Sequence, residues 1–388
     1  MTKDKDTKTV VPALRFPEFR DGEGWIPNKI DHVCKIGNGR DYKHLSAGNI
    51  PVYGSGGYMT SVDKFLYDGE SVCIGRKGTI DKPIFLTGKF WTVDTLFYTY
   101  AFYKCLPKFL YLIFQQINWH KYNEAGGVPS LLKTTIGNIN IFIPNNESEQ
   151  KKIVDCFSCL DDLISAVADK IETLKEYKKG LMQQLFPVEG KTIPAIRFPE
   201  FQNAGEWQTV SLGDVATFIN GRAFKQDELL ESGKYRVLRV GNFFSNAYWY
   251  HSDLELDENK YCDKGDLLYA WSASFGPRIW NEDKVIFHYH IWKVVEKEGI
   301  SKDFLLILLD YETERIKNQQ ANGLGLLHIT KGAIENWKTR VPKNILEQQK
   351  IAKNLSSVDE LISIEIAKLD QLKAHKKGLM QQLFPKLQ

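Results

Sequence analysis

The chain carries one frame twice. Val11-Pro12-Ala13-Leu14-Arg15-Phe16-Pro17-Glu18-Phe19 returns as Ile193-Pro194-Ala195-Ile196-Arg197-Phe198-Pro199-Glu200-Phe201, and residues 178–187 return unchanged at 376–385. The stretches between these markers, roughly 41–135 and 223–331, have diverged almost completely. Arg15 and Arg197 lie 182 positions apart and Lys178 and Lys376 lie 198 apart, so the second variable stretch holds a net 16 more residues. Frame and insert vary as separate units. A duplication of this kind restricts the fold to two copies of one module, and a frame kept while its inserts change presents two different surfaces at one geometry.

The frame supplies its own long helices. In the first copy Ile153, Phe157, Leu160, Ile164, Val167, Ile171 and Leu174 fall at alternating steps of four and three, continuing to Leu181 and Leu185 with Lys178 interrupting. In the second, Ile351, Leu355, Val358, Ile362, Leu369 and Leu372 do the same, interrupted by Glu365 and Lys376. This is a heptad seam sustained over more than four heptads, ended by Pro187 and Pro385. A helix over 149–185 spans about 55 Å at 1.5 Å per residue. Its apolar stripe must be covered, and the simplest cover is its own duplicate in an antiparallel coiled coil. That arrangement closes the repeat with internal pseudo-twofold symmetry and sets 383–385 beside 11–12. Lys178 and Lys376 are expected to lay their aliphatic stems along the helix ends.

Composition sets the class. With 388 residues, 43% hydrophobic and 26% charged, the chain has room for two to four folded domains and is not a disordered one. It holds no apolar run near the ~18 residues of a membrane span, and the polar stretch 1–8 is unlike a signal peptide, so a cytoplasmic location is expected. The six cysteines are scattered, and the Cys156–Cys159 pair has Asn354 and Ser357 in the second copy, so neither a disulfide framework nor a metal site is expected. A net charge of +3 permits a nucleic-acid partner without requiring one.

Both inserts read as short strands in a mixed α+β arrangement. The pattern predicts strands at 50–53, 71–74, 84–86 and 92–100, then at 235–240, 267–271 and 285–294, with helices at 106–116 and 302–311. Turns are expected at 54–57 and 76–78. Aligned on these patterns, 69–75 faces 265–271. His288-Tyr289-His290 is expected to pack on a strand.

The paired pieces Gly24-Trp25 with Glu206-Trp207, Asn38-Gly39-Arg40 with Asn220-Gly221-Arg222, and Ile143-Pro144 … Glu149-Gln150-Lys151-Lys152-Ile153 with Val341-Pro342 … Glu347-Gln348-Gln349-Lys350-Ile351 occur in the same order around both inserts. In that layout the chain resembles, over essentially its whole length, the specificity subunit of type I restriction-modification systems. The resemblance implies two target-recognition domains, at 1–148 with an N-terminal arm and at 188–346, and two spacer helices, at 149–187 and 347–388. It implies a non-catalytic DNA-reading subunit in which each domain reads one half of an asymmetric, two-part site in double-stranded DNA while the helices set the unread gap. Two methyltransferase subunits that methylate adenine with S-adenosylmethionine would dock on it, and restriction subunits using ATP and Mg would join them. No cofactor is expected on this chain. The sequence holds no Asn-Pro-Pro-aromatic or Asp-Pro-Pro-aromatic box and no G-x-x-x-x-G-K-[ST] phosphate loop. The alternative is a coiled-coil scaffold with two protein-binding domains.

Base reading needs donors and acceptors on rigid elements, flanked by cations that hold phosphates. The first insert offers Arg40, Lys43 and His44 after the shared Asn-Gly, Tyr53 and Ser55 at the glycine turn, and Arg76 and Lys77 before Gly78. The second offers Arg222, Lys225, Arg239 and Asn242, then Ser272 and Ser274, then Arg278. Arg40 and Arg222 occupy shared positions, which favours a structural or phosphate role over base choice.

Overall fold

A computed structural model describes residues 9–244, 247–272, 274–320 and 329–386, without the side chains of Ser274 and Gln320. The chain divides into two compact units, Met1–Asp169 with Ala367–Gln388, and Lys170–Ile366. The division cuts both long helices, so each unit combines one insert, its flanking frame and part of each helix.

The units share one topology. In the first, Ile26–Lys29 pairs antiparallel with Asn140–Ile143. One four-stranded sheet runs Lys35–Asn38, Leu96–Tyr100, Ser71–Gly75, Ile84–Leu86, and another runs Gly57–Val62, Ala47–Gly54, Lys89–Thr92, Tyr67–Asp68. In the second unit Gln208–Ser211 pairs with Lys338–Val341. Its sheets run Ala216–Asn220, Ile291–Glu296, Leu267–Ser272, Ser274–Ile279 and Tyr250–Ser252, Tyr235–Leu238, Val285–Phe287, Tyr261–Cys262. Every strand of one unit has a counterpart in the other, although the inserts share almost no sequence. Ser71–Gly75 is buried along its whole length, which is why it reads as an unbroken run and not as an alternation.

The sequence reading differs from the fold at five places, the first being the strand expected at 235–240, which ends at Leu238 where Val240–Phe244 turns helical. Residues 92–100 are not one strand: Lys89–Thr92 and Leu96–Tyr100 lie in different sheets, joined by a three-residue corner at 93–95. Residues 285–294 break in the same way into Val285–Phe287 and Ile291–Glu296, so His288-Tyr289-His290 is a corner and not a strand. Apolar runs flank both corners, and period-two patterning cannot register a change of sheet. The helix expected at 302–311 extends over Lys302–Gln320. Finally, Gly75 pairs with Leu96 as Ala270 pairs with Ile291, one residue from the alignment of 69–75 on 265–271.

The long helices are Glu147–Leu185 and Ile345–Leu383, each 39 residues, or about 58 Å. In the first unit Ile153 and Phe157 share a core with Met380, Leu383 and Phe384, while Asp161 accepts from Lys376 at 2.5 Å. The start of one helix thus meets the end of the other, and their packing is antiparallel. In the second unit Met182, Leu185 and Phe186 share a core with Ile351, Ala352 and Leu355, and Lys178 bridges Asp359 at 2.9 Å and Asp310 at 3.0 Å. Ile153, Phe157, Val167, Ile171, Ile351, Leu355, Val358 and Ile362 are buried, and Leu160, Ile164, Leu174, Leu369 and Leu372 are half-buried. The polar interruptions have partners: Lys170 donates to Glu365 at 2.5 Å, and Lys178 and Lys376 reach an aspartate of the opposing helix. Asp161 and Asp359 are themselves counterparts, so the Lys376–Asp161 ion pair of the first unit repeats as Lys178–Asp359 in the second.

The duplicated motifs are locks. Arg15 donates through Nε and Nη2 to the two oxygens of Glu149, both at 2.7 Å, and Trp25 Nε1 donates to Oε1 at 3.1 Å. Arg197 grips Glu347 at 2.7 and 2.8 Å, and Trp207 Nε1 adds a bond at 3.2 Å. Gln150 accepts from the Leu106 amide at 2.9 Å and donates to the carbonyls of Lys104 and Pro144 at 2.9 and 3.2 Å. Gln348 does the same with Ser301, Gly299 and Pro342. These bonds satisfy backbone groups that burial would otherwise strand, and they fix where each helix leaves its module. The far helix ends are fastened too: the Leu14 amide donates to Gln382 O at 2.9 Å and the Ile196 amide to Gln184 O at 3.0 Å. Phe384 packs on Trp25 and stacks on Phe109, as Phe186 packs on Trp207 and stacks on Phe304.

Candidate nucleic-acid interface

In each unit the chain crosses between the two sheets at a corner closed by main-chain hydrogen bonds. At the first corner the Val93 amide donates to Tyr53 O (2.9 Å), Leu96 to Val93 O (2.9 Å), Arg40 to Thr92 O (2.8 Å), Gly39 to Leu96 O (3.2 Å) and Arg76 to Thr95 O (2.8 Å). At the second, His288 donates to Leu238 O (2.9 Å), Ile291 to His288 O (2.9 Å), Arg222 to Phe287 O (2.9 Å), Gly221 to Ile291 O (3.2 Å) and Trp271 to His290 O (3.1 Å). A side-chain bond repeats as well. Arg76 Nη1 meets Asp94 O at 3.5 Å, and Trp271 Nε1 meets Tyr289 O at 2.8 Å. The shared Asn-Gly-Arg motif follows from this packing, because a Cβ on Gly39 would lie 1.9 Å from Val93 O and one on Gly221 2.4 Å from His288 O.

What differs is the chemistry displayed. In the first unit Arg40, Lys43, Arg76 and Lys77 are exposed. Tyr53 is half-buried against Tyr58. Ser55 caps a hairpin in which Gly54 pairs with Gly57, and its Oγ lies 3.2 Å from where a Gly78 Cβ would sit. The hairpin tip and the Arg76-Lys77 loop are therefore neighbours. A groove of about 550 Å³ lies between Arg76, Lys77, Asp94 and Thr95 and the segment around Ser130.

The second unit is more aromatic. A pocket of about 230 Å³ is lined by Arg239, Asn242, Tyr248, Tyr250, His288 and His290. The Arg239 guanidinium lies 5.1 Å over the Tyr250 ring, and Asn242 donates to Tyr248 O at 2.6 Å. Arg222 spends its fork on Glu228, with both bonds at 2.8 Å, and this pairing holds the Glu228 carboxyl down at about 2. Lys225 is exposed, Ser272 is half-buried, and Arg278 reaches Phe243 O at 2.6 Å. The side chain of Ser274 lies outside the described residues. Sequence reasoning passed over Asp94, Tyr248 and Tyr250 and read Tyr289 and His290 as strand packing, since their placement comes from long-range pairing. The shared glycine was the one available signal.

His288 titrates low, at about 4, first through burial and then through His290 and Arg239. Because the unfolded chain takes up that proton near 6.5, the second unit is expected to lose stability as pH falls from about 6.5 toward 4. Urea midpoints at pH 7 and pH 5 check this, and His288→Gln should flatten the difference. Among the described residues no cluster of three or more His, Cys, Asp or Glu side chains could hold a metal. The six cysteines are free, and burial pushes the Cys34 and Cys73 thiols up to about 12. No described helix is long and apolar enough to cross a membrane.

Two modules of one topology display different side chains at the same corner. A sequence model described as "Type I restriction modification DNA specificity domain" matches residues 22–176 and again 204–374, and the chain belongs to that family. The MjaVIII type I restriction enzyme specificity subunit of Methanocaldococcus jannaschii is 30% identical over 214 residues, 53% of this chain and 47% of that protein. A second relative from the same organism, named for the MjaX type I restriction enzyme, is 28% identical over 289 residues, 71% of this chain and 66% of its own length. The chain thus spans between about half and two thirds of the length of these relatives. The crystal structure of a type I restriction-modification system S subunit from M. genitalium matches the fold with a TM-score of 0.66 at 16% identity, covering 98% of this chain and 100% of that one. A chain from a study of complex assembly and conformational transition in the type I R-M system matches with a TM-score of 0.55 at 15% identity, covering 94% and 98%.

Proposed function

We propose that this chain is the DNA-addressing subunit of a type I restriction-modification complex, each module reading one half of a bipartite site. The observation that carries this reading is the repeated corner: one backbone scaffold, closed by the same hydrogen bonds, bearing arginine, lysine and aspartate in one unit and histidine, tyrosine and tryptophan in the other. A scaffold that selected one kind of partner would have no reason to diversify there. Arg40, Lys43, Arg76, Lys77, Lys225, Arg239 and Arg278 are assigned to DNA, while Arg222 braces its loop. The long helices set the interval between half-sites.

Partner docking follows from the unchanged ten-residue segment. Lys178, Met182, Leu185 and Phe186 are accounted for by internal contacts, yet Lys179, Gln183 and Gln184 are exposed, as are Lys377, Gln381 and Gln382. Internal packing places no demand on exposed side chains, so their identity in both copies fits two copies of one partner, the methyltransferase subunit. In that assembly S-adenosylmethionine belongs to the methyltransferase, ATP and Mg to the restriction subunit, and no catalytic group to this chain.

The test is a salt titration of binding to duplex DNA. A reader that neutralises six to ten phosphates loses roughly 10³- to 10⁵-fold in affinity between 50 and 200 mM salt. Affinity for DNA that is absent or indifferent to salt would rule the assignment out and leave a protein-binding scaffold in its place.

A further inference from the structure

Asp94 stands out within the basic rim of the first unit. It occupies the middle of the corner, is exposed, and offers its backbone carbonyl, not its carboxylate, to Arg76. The carboxylate makes no ion pair or hydrogen bond with a described residue. Arg40 and Arg76 are tied by backbone bonds to Thr92 and Thr95 on either side of it, and Lys77 lines the same groove. A carboxylate there opposes phosphate binding, since it repels the charges its neighbours attract. It also contributes nothing to holding the loop, which is closed by main-chain bonds that recur at 288–290 without any acid.

We propose that Asp94 is a specificity-determining residue of the first module, accepting a hydrogen bond from the exocyclic amino group of a base, cytosine N4 or adenine N6, in the major groove. An ionised carboxylate only accepts, and these amino groups are the donors that the major-groove edges present. The cations beside it would hold the flanking phosphates and offset its repulsion, so the unfavourable charge is tolerated only where the correct base meets it. Tyr289 occupies the same position in the second unit, where an aromatic hydroxyl replaces the acid. The proposal rests on the DNA-reading assignment above and adds to it the residue and the base class.

The experiment selects bound duplexes from a randomised library with the full chain, for the parent and for Asp94→Ala, followed by sequencing of the selected pools. The parent is expected to return a two-part motif. Asp94→Ala should lose preference at one amino-bearing base pair in one half, by about 5- to 150-fold, with the other half intact. Affinity for a fixed random-sequence duplex should be equal or higher, a change that loosening of the loop would not produce. Melting temperature measured alongside should match the parent, because the side chain is exposed and unbonded. If the variant returns the parental motif in full, Asp94 is not a reader and the DNA assignment stands without it. If the parent itself selects no motif, both the assignment and this inference fail.

Discussion

Glu149→Ala is expected to cost about 3–5 kcal/mol of stability, the range for removing one member of a buried ion pair. Glu149 is 1% exposed and its Arg15 partner 7%. Truncation would strand a guanidinium that keeps only the carbonyls of Gly22 and Glu23, and it would deprive Trp25 Nε1 of its acceptor. The loss exceeds a simple hydrogen-bond deletion because the remaining charge stays desolvated. Glu347→Ala should be equivalent, since Arg197 and Trp207 repeat the geometry in the second unit. Glu18→Ala is the contrast: its Lys152 partner meets it at the surface, so little should change. Urea unfolding followed by tryptophan fluorescence reads all three, and a two-step curve should show each buried variant shifting one step. Equal small losses from Glu149→Ala and Glu18→Ala would show that the lock is ornamental.

Replacing residues 41–135 with the equivalent insert of a relative is expected to change one half of the recognised sequence and leave the other half as it was. The insert holds the corner of the first unit and every strand of its two four-stranded sheets except Lys35–Asn38, whereas the anchoring groups Arg15, Trp25, Glu149 and Gln150 lie outside it. A mismatched base pair costs about 1–3 kcal/mol, so three or four changed positions should weaken binding to the parental site by roughly a hundredfold or more. Affinity for a hybrid site joining the new half to the old one should recover. Selection of bound sequences, or mapping of methylated adenines when the partner subunits are present, measures the outcome. A swap that altered both halves would mean that the two readers are not independent.

Much of this fold was legible before any coordinates. Lys178, Gly180, Leu181, Met182, Leu185 and Phe186 recur at fixed spacing with Lys376, Gly378, Leu379, Met380, Leu383 and Phe384, and a heptad seam depends on spacing alone. Strands such as Ser71–Gly75 and Leu267–Ser272 announced themselves through apolar runs bounded by turns. The corners did not. Thr92 to Tyr100 reads as one strand because buried apolar residues flank Asp94 on both sides, and only the pairing of Lys89–Thr92 with Ala47–Gly54 and of Leu96–Tyr100 with Lys35–Asn38 reveals two sheets. The shared position of Arg222 left a structural and a phosphate role open, and only its pairing with Glu228, six residues on, shows that its fork is occupied.

Sequence alone determined that the molecule is a doubled frame carrying two unlike inserts on two long helices, because repetition and heptad spacing are local properties written residue by residue. Tertiary structure decided which residues share a surface. The buried glutamates, the cross-helix aspartates and the corner at Asp94 and Tyr289 are defined by contacts between segments far apart in the chain, and a repeated motif marks such residues without saying which partners they meet.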